Sequence, residues 1–174
     1  MHRPHENTYW LSPGQLLAGE HPVASPTMNI EERLMPYLEC GVREFVDLTE
    51  PGEVRAYDGV LRELANYHGV AVGYRRFPVV DMQVPGDAAC MHAILDHLDR
   101  VIDEERTAYV HCWGGIGRTG TVAGCYLVRH GLHGGDALAR LAELWPAMRK
   151  SRIYPCTPQT AAQFAYVKAW PLRS

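Results

Sequence analysis

The chain predicts an α/β fold, a central and mostly parallel sheet flanked by helices, with a nucleophile loop between a strand and a helix. Three observations carry that expectation. Short apolar runs alternate with helical periodicities through the middle of the chain. Three further helical patterns close it. The last apolar run, Thr107–Val110, leads straight into the glycine-rich stretch Cys112–Gly117. No internal repeat, low-complexity tract or linker divides the 174 residues, and 47% apolar content supports one sizeable core, so a single domain over residues 1–174 is expected.

Taken in order, Thr8 to Pro22 mixes aromatic and apolar residues with Pro and Gly and reads as a short strand or hairpin. Met28 to Cys40 has helical period, with a break or restart expected at Pro36 and a stop at Gly41. Val42–Leu48 reads as a strand ending in the turn Thr49-Glu50-Pro51-Gly52. Gly59–His68 reads as a helix ended by Gly69, and Val70–Phe77 as the next strand. Asp87–Glu105 carries a helical stripe through Met91, Ile94, Leu95, Leu98, Val101 and Ile102. After the strand Thr107–Val110, helices are expected over Arg118–His130, Asp136–Met148 and Thr157–Trp170.

A net charge of −3 gives no global attraction to nucleic acid or to anionic membranes. No run approaches the roughly 18 apolar residues of a membrane span, and the first seven residues lack the apolar core of a signal peptide. The five cysteines, Cys40, Cys90, Cys112, Cys125 and Cys156, are scattered and odd in number, as expected of reduced thiols in a cytoplasmic protein.

The chemistry concentrates in His111-Cys112-Trp113-Gly114-Gly115-Ile116-Gly117-Arg118-Thr119-Gly120. Only a thiolate attacks, and three local features favour the sulfur anion at Cys112. The loop opens a helix, whose N-terminal dipole end is positive. Gly114, Gly115 and Gly117 let successive N–H groups curl into an anion nest around the loop Trp113–Gly117. Arg118 is a planar fork able to grip two phosphate oxygens at once. Thr119 is expected to donate its hydroxyl to the sulfur. The nest and Arg118 supply the positive field that a metal supplies elsewhere, so no cofactor or metal is expected, and phosphate or sulfate fits the loop.

His-Cys, five residues, Arg, then Ser or Thr resembles the signature of the protein tyrosine phosphatase superfamily. The stretch Gly115–Gly120 is similar to the tyrosine-specific members. The chain length resembles the small dual-specificity branch, with cyclin-dependent-kinase-associated phosphatases among the nearer relatives. The resemblance runs from about Leu16 to Tyr166. It implies a nucleophile loop at the carboxyl end of a strand and a phosphocysteine intermediate.

An oxyanion leaving group needs a proton, and Asp81, in the Pro-bounded stretch Phe77–Pro85 and 31 residues before Cys112, is the chosen donor. The resemblance implies a mobile acid loop at that distance; neither Trp nor Pro immediately precedes Asp81, unlike the tyrosine-specific members. Asp87, after Pro85-Gly86, is the competing acid and also fits a helix N-cap. Asp47 and Glu50 could face the site, although strand-end turn chemistry explains them more simply. The resemblance also gives Gln159 and Gln163, in Gln159-Thr160-Ala161-Ala162-Gln163-Phe164, the task of positioning the hydrolytic water, with both amides on one helix face. His111 precedes the nucleophile on a strand and should point to the opposite side, as a hydrogen-bonded support. His92, His97, His130 and His133 read as surface or capping residues.

The expected substrate is a phosphorylated protein or peptide, tyrosine or dual specificity. The spacers Trp113–Gly117 carry no charge, whereas phosphoinositide phosphatases of this superfamily commonly place lysines there. Trp113 is read as loop packing or pocket wall. Arg149-Lys150-Ser151-Arg152 could attract acidic flanks or form a solvated cluster, and Arg75 and Arg76 are equally ambiguous. The alternatives are a small-molecule or lipid phosphatase acting, for example, on an inositol phosphate, and a catalytically dead phosphate-binding module. An arsenate reductase or sulfurtransferase is a further rival, but the nearest second thiol, Cys125, lies thirteen residues downstream.

Overall fold

In the computed structural model, which describes residues 2–24, 27 and 29–172, the opening segment is a hairpin. Strand β1 (Thr8–Ser12) pairs antiparallel with β2 (Leu16–Gly19). The remaining pairs, β2 with β5 (Thr107–His111), β5 with β3 (Val42–Asp47), and β3 with β4 (Gly73–Arg76), are all parallel. The spatial order is β1-β2-β5-β3-β4, so the strand that delivers Cys112 lies at the centre. This is the expected α/β sheet, with one antiparallel edge.

Helices cover both faces. Along β5, Ala108 and Val110 point into one core and Tyr109 into the other. The first core joins Leu16, Ala18 and Val46 to α3 (Ala88–Asp103), α4 (Gly117–Arg129), α5 (Gly134–Leu144) and α6 (Ala161–Ala169). The second is richer in aromatics and packs Trp10, Phe45 and Tyr109 against α1 (Ile30–Glu39) and α2 (Asp58–Tyr67). Burial on both faces explains why these strands read as apolar runs. Helix α4 is buried along nearly its whole length, and Gly124 is what lets α6 approach: a Cβ there would lie 2.7 Å from Val167.

Several element ends differ from expectation for identifiable reasons. Pro36 does not break α1. It removes one backbone bond, while Ile30, Leu34, Tyr37 and Leu38 bury the helix face through it. The Asn29 side chain caps α1, and the expected start at Met28 lies outside the described residues. Helix α5 stops at Leu144 and passes into 3-10 turns at Trp145–Ala147 and Arg149–Arg152, where Pro146 has no N–H to continue the ladder. Helix α6 starts at Ala161 rather than Thr157, because Thr160 and Gln163 form a reciprocal capping box. Strand β4 is confined to Gly73–Arg76, shorter than the apolar run that announced it.

Candidate active site

The loop after β5 sits on the backbone of β2. Gly115 has φ +73°, and a Cβ there would lie 2.4 Å from the carbonyl carbon of Gly19, so only glycine fits. The Gly115 N–H donates to Cys112 Sγ at 3.3 Å. The loop carbonyls are taken up from outside. Trp113 O accepts from the His21 N–H at 2.9 Å, Gly114 O accepts from Lys150 Nζ at 3.1 Å, and Ile116 O accepts from Thr157 Oγ1 at 2.7 Å. In a trans peptide the following N–H points the opposite way. Pinning these oxygens outward therefore turns the amides of Gly114, Gly115 and Gly117 inward, toward a sulfur that is only 3% exposed.

Arg118, in the first turn of α4, folds back under this loop. Its Nη1 and Nη2 donate to Glu53 Oε2 and Oε1 at 2.8 and 2.6 Å, its Nη1 also reaches Val79 O at 3.0 Å, and its Nη2 pairs with Asp81 Oδ1 at 2.9 Å. Burial alone would lower the pKa of Arg118; hydrogen bonding to Glu53 and the fields of Cys112, Glu53 and Asp81 reverse that and raise it. Its Nε is buried without a hydrogen-bond partner among the described residues.

Asp81 thus reaches the site, on a turn closed by Gln83 N to Val80 O at 3.1 Å with Met82 at φ 62°. The turn is carried there because Val79 N bonds Leu48 O at 3.0 Å, which extends the β3–β4 pairing toward the loop. Asp87 is instead the N-cap of α3 and accepts from Cys90 N at 2.7 Å. Asp47 is spent on the strand end: Oδ1 accepts from Thr49 N and Oγ1, and Oδ2 from Tyr74 Oη and Arg76. Burial opposes its charge, but His111 and these donors hold its carboxyl well below the usual range. Glu50 meets Glu53 through its backbone: its N–H donates to Glu53 Oε2 at 2.9 Å and its carbonyl accepts from the Glu53 N–H at 3.1 Å.

His111 lies on the face opposite Cys112. Its Nε2 meets Tyr57 Oη at 2.6 Å and its Nδ1 faces the Cys112 carbonyl at 3.2 Å. Burial depresses its pKa against the opposing pull of Asp47, and the ring supports the loop from beneath the nucleophile. His21 stacks edge-on with both Tyr57 and His111, and burial with the neighbouring His111 pushes its pKa down to about 3. The other histidines are elsewhere. His92 packs on Trp170, His97 bonds Glu44, His130 pairs with Asp99, and His133 precedes α5.

Three expectations need correction. The Thr119 hydroxyl does not donate to the sulfur; its one proton is directed to Gly19 O at 3.4 Å, because β2 runs directly beside it. Gln159 and Gln163 do not share a helix face, since Gln159 precedes the cap of α6. Gln163 is fully buried and not free to hold a water. Its Oε1 accepts from Gln159 N and Thr160 N, its Nε2 donates to Gln83 O at 3.0 Å, and it packs on Gly117. It ties the Asp81 turn, α6 and the nucleophile loop together.

One pocket of about 280 Å³ has Asp81, Cys112, Gly114, Ile116, Gly117 and Arg118 in its wall, with Met82, Trp113, Lys150, Tyr154 and Gln159 completing it. Trp113 is 53% exposed and so forms wall rather than packing. Of the basic cluster, Lys150 is bound to Glu20 Oε2 at 2.8 Å and Arg149 to Glu6 Oε1 at 2.7 Å. Arg76 belongs to Asp47 and Arg75 lies over Phe77. Sequence reasoning missed Glu53 and the Glu20–Lys150 pair. Glu53 directly follows the turn Thr49–Gly52, which the sequence marks, but nothing local shows that its partner is 65 residues away. Among the described residues no cluster of His, Cys, Asp and Glu is arranged to hold a metal.

A family model described as "Swiss Army Knife protein, DSP-PTPase phosphatase domain" matches residues 5–163. Cyclin-dependent kinase inhibitor 3 of Sus scrofa is 29% identical over 100 residues, covering 58% of this chain and 46% of that protein. The Homo sapiens protein of the same name is 27% identical over the same shares. The chain thus aligns with less than half the length of these curated relatives. Among solved structures, kinase-associated phosphatase with its catalytic-site cysteine replaced by serine superposes with a TM-score of 0.69 at 22% identity, covering 92% of this chain and 90% of that one. PTPMT1 in complex with PI(5)P gives 0.68 at 19% identity, with 94% of each chain covered. A Cys-to-Ser form of P. aeruginosa TpbA in complex with pTyr gives 0.61 at 19%, covering 97% of this chain and 91% of that one.

Proposed function

The chain belongs to the DSP-PTPase phosphatase-domain family, and we propose that it is a metal-independent phosphomonoester hydrolase acting through a phosphocysteine, with a phosphorylated protein or peptide as substrate. The observation that carries this reading is the convergence of Cys112, Arg118 and Asp81 on one pocket, with the Gly115 amide facing the sulfur.

The Cys112 thiolate attacks phosphorus in line, forming an S–P bond as the ester P–O bond breaks. Asp81 gives its proton to the leaving oxygen. The inward amides and Arg118, whose Nε–H has no protein acceptor among the described residues, hold the equatorial oxygens as charge develops. Asp81, now ionised, takes a proton from water, which attacks phosphorus and releases the thiolate. Gln159, on the pocket wall, replaces Gln163 as the amide able to orient that water. Thr119 supports the loop through Gly19.

A lipid or inositol phosphate substrate is the second reading, favoured by the likeness to the PTPMT1 fold and disfavoured by the uncharged spacers and the committed Lys150. One catalytic unit over the chain accords with the two cores sharing a single sheet, and a cytoplasmic setting accords with five free cysteines. Among the described residues no helix is long and apolar enough to cross a membrane.

The test is p-nitrophenyl phosphate turnover with acid-quenched trapping of the phosphoenzyme. Wild type should turn over in excess chelator and yield an acid-stable phosphoprotein, while Cys112→Ser should yield neither. Substantial residual turnover in that variant would remove Cys112 as nucleophile.

A further inference from the structure

The large apolar side chains left in solvent are not scattered. Among the described residues, five of the seven are Val80, Met82, Trp113, Ile153 and Tyr154, on the three segments that frame the pocket. Met82, Trp113 and Tyr154 line it directly, and Val80 and Ile153 adjoin lining residues in the chain. Ile153 is 76% exposed and Val80 56%, far beyond what core packing asks of either. Exposed apolar side chains gathered on the segments around a polar floor mark a binding face.

The charges at the same rim point the same way. Lys150, the lining lysine, is bound to Glu20 and to the Gly114 carbonyl. Arg149 is bound to Glu6. The half-exposed group at the mouth is the Asp81 carboxylate. An acidic neighbour of the phosphate, or a second phosphate, would find the lining lysine already engaged.

Whatever places a phosphate against Cys112 must lay the rest of its body on this rim. Resting on the hydrolase reading above, the geometry points to a phosphotyrosyl segment flanked by apolar side chains, whose ring passes between Trp113, Met82 and Tyr154 and whose neighbours settle on Val80 and Ile153. Lys150 then serves the protein's own loop rather than an acidic partner.

The test measures binding of fluorescent phosphotyrosyl peptides to Cys112→Ser, so that turnover is not needed. A peptide with Leu or Ile beside the phosphotyrosine should bind about tenfold tighter than one with Asp or Glu there, the scale of burying one aliphatic side chain. Adding Val80→Ser and Ile153→Ser should close most of that gap; both positions are exposed, and circular dichroism checks that the fold is kept. Equal affinities, an acidic preference, or a gap that survives the double substitution would overturn the inference. So would co-sedimentation with phosphatidylglycerol vesicles combined with no peptide binding, which would assign the rim to lipid. Turnover of p-nitrophenyl phosphate by wild type reads the hydrolase proposal separately. An apolar preference without turnover would remove that proposal and leave the docking surface standing.

Discussion

Strand β3 carries a buried carboxylate near each end, and the two ends of the molecule use buried charge differently. At the amino end, Glu44 is held by His97 on α3 at 2.9 Å and by Arg106 at 2.6 Å, with Arg100 behind His97. His97 and Arg100 lie on α3, and Arg106 sits immediately before β5. At the carboxyl end, Arg118 is also held by two carboxylates, but Glu53 and Asp81 both come from loops, with side chains 18% and 52% exposed. The first cluster closes on itself. The second has one buried donor without a protein partner and ligands able to rearrange. Ion pairs anchored by packed elements serve stability, whereas ion pairs anchored by loops beside a pocket are suited to exchange with a substrate's charge.

That difference is open to four experiments. Asp81→Asn should have the largest effect, a loss on the order of 10²–10⁴ in kcat for esters with poor leaving groups and much less for p-nitrophenyl phosphate. The unfolding midpoint should stay nearly constant, and equal losses on both ester types would remove Asp81 as the proton donor. Glu44→Gln should do the reverse. It leaves a buried network half-paired and should cost about 3 kcal/mol in urea unfolding, the low end for a broken buried pair because Arg106 is one-third exposed, with kcat/KM kept below the melting range. A catalytic defect at full stability would erase the contrast.

Lys150→Met tests the outward pinning of the Gly114 carbonyl. Losing one charge-assisted bond should weaken vanadate inhibition by about tenfold and raise KM more than it lowers kcat, with Lys150→Arg restoring part of the loss. An unchanged inhibition constant would show that the loop holds its shape without Lys150.

The smallest effect is a pH slope. His21 has its folded pKa pushed from 6.5 to about 3, so as pH falls below 6.5 the unfolded chain takes up a proton that the folded one refuses. The stability this contributes is complete above about 6.5 and lost progressively toward pH 3. His21→Phe should reduce the slope of unfolding free energy against pH in that window by nearly one proton. An unaltered slope would place the acid sensitivity in His111 or the carboxylates.

The nucleophile loop, its glycines and Arg118 were legible because they are contiguous: one strand, one turn and one helix start encode them without help from elsewhere. Asp81 was legible by its place after a strand. Glu53, the Lys150–Glu20 pair and the buried setting of Gln163 were not, since each joins segments far apart in the chain whose separate patterns say nothing of meeting. Thr119 was assigned to the sulfur because it is polar and near, and Gln163 to the water by the family resemblance, and the fold gave both to the backbone instead.

Alternating apolar runs and local turn chemistry alone determined that this is a layered α/β protein with a glycine-rich loop between its central strand and a helix. Which faces the helices cover, where the loop carbonyls anchor, and which carboxylates hold Arg118 were decided only by the packed sheet. Periodicity and capping act within a few residues, while a buried polar group takes whatever partner the folded chain brings within about 3 Å.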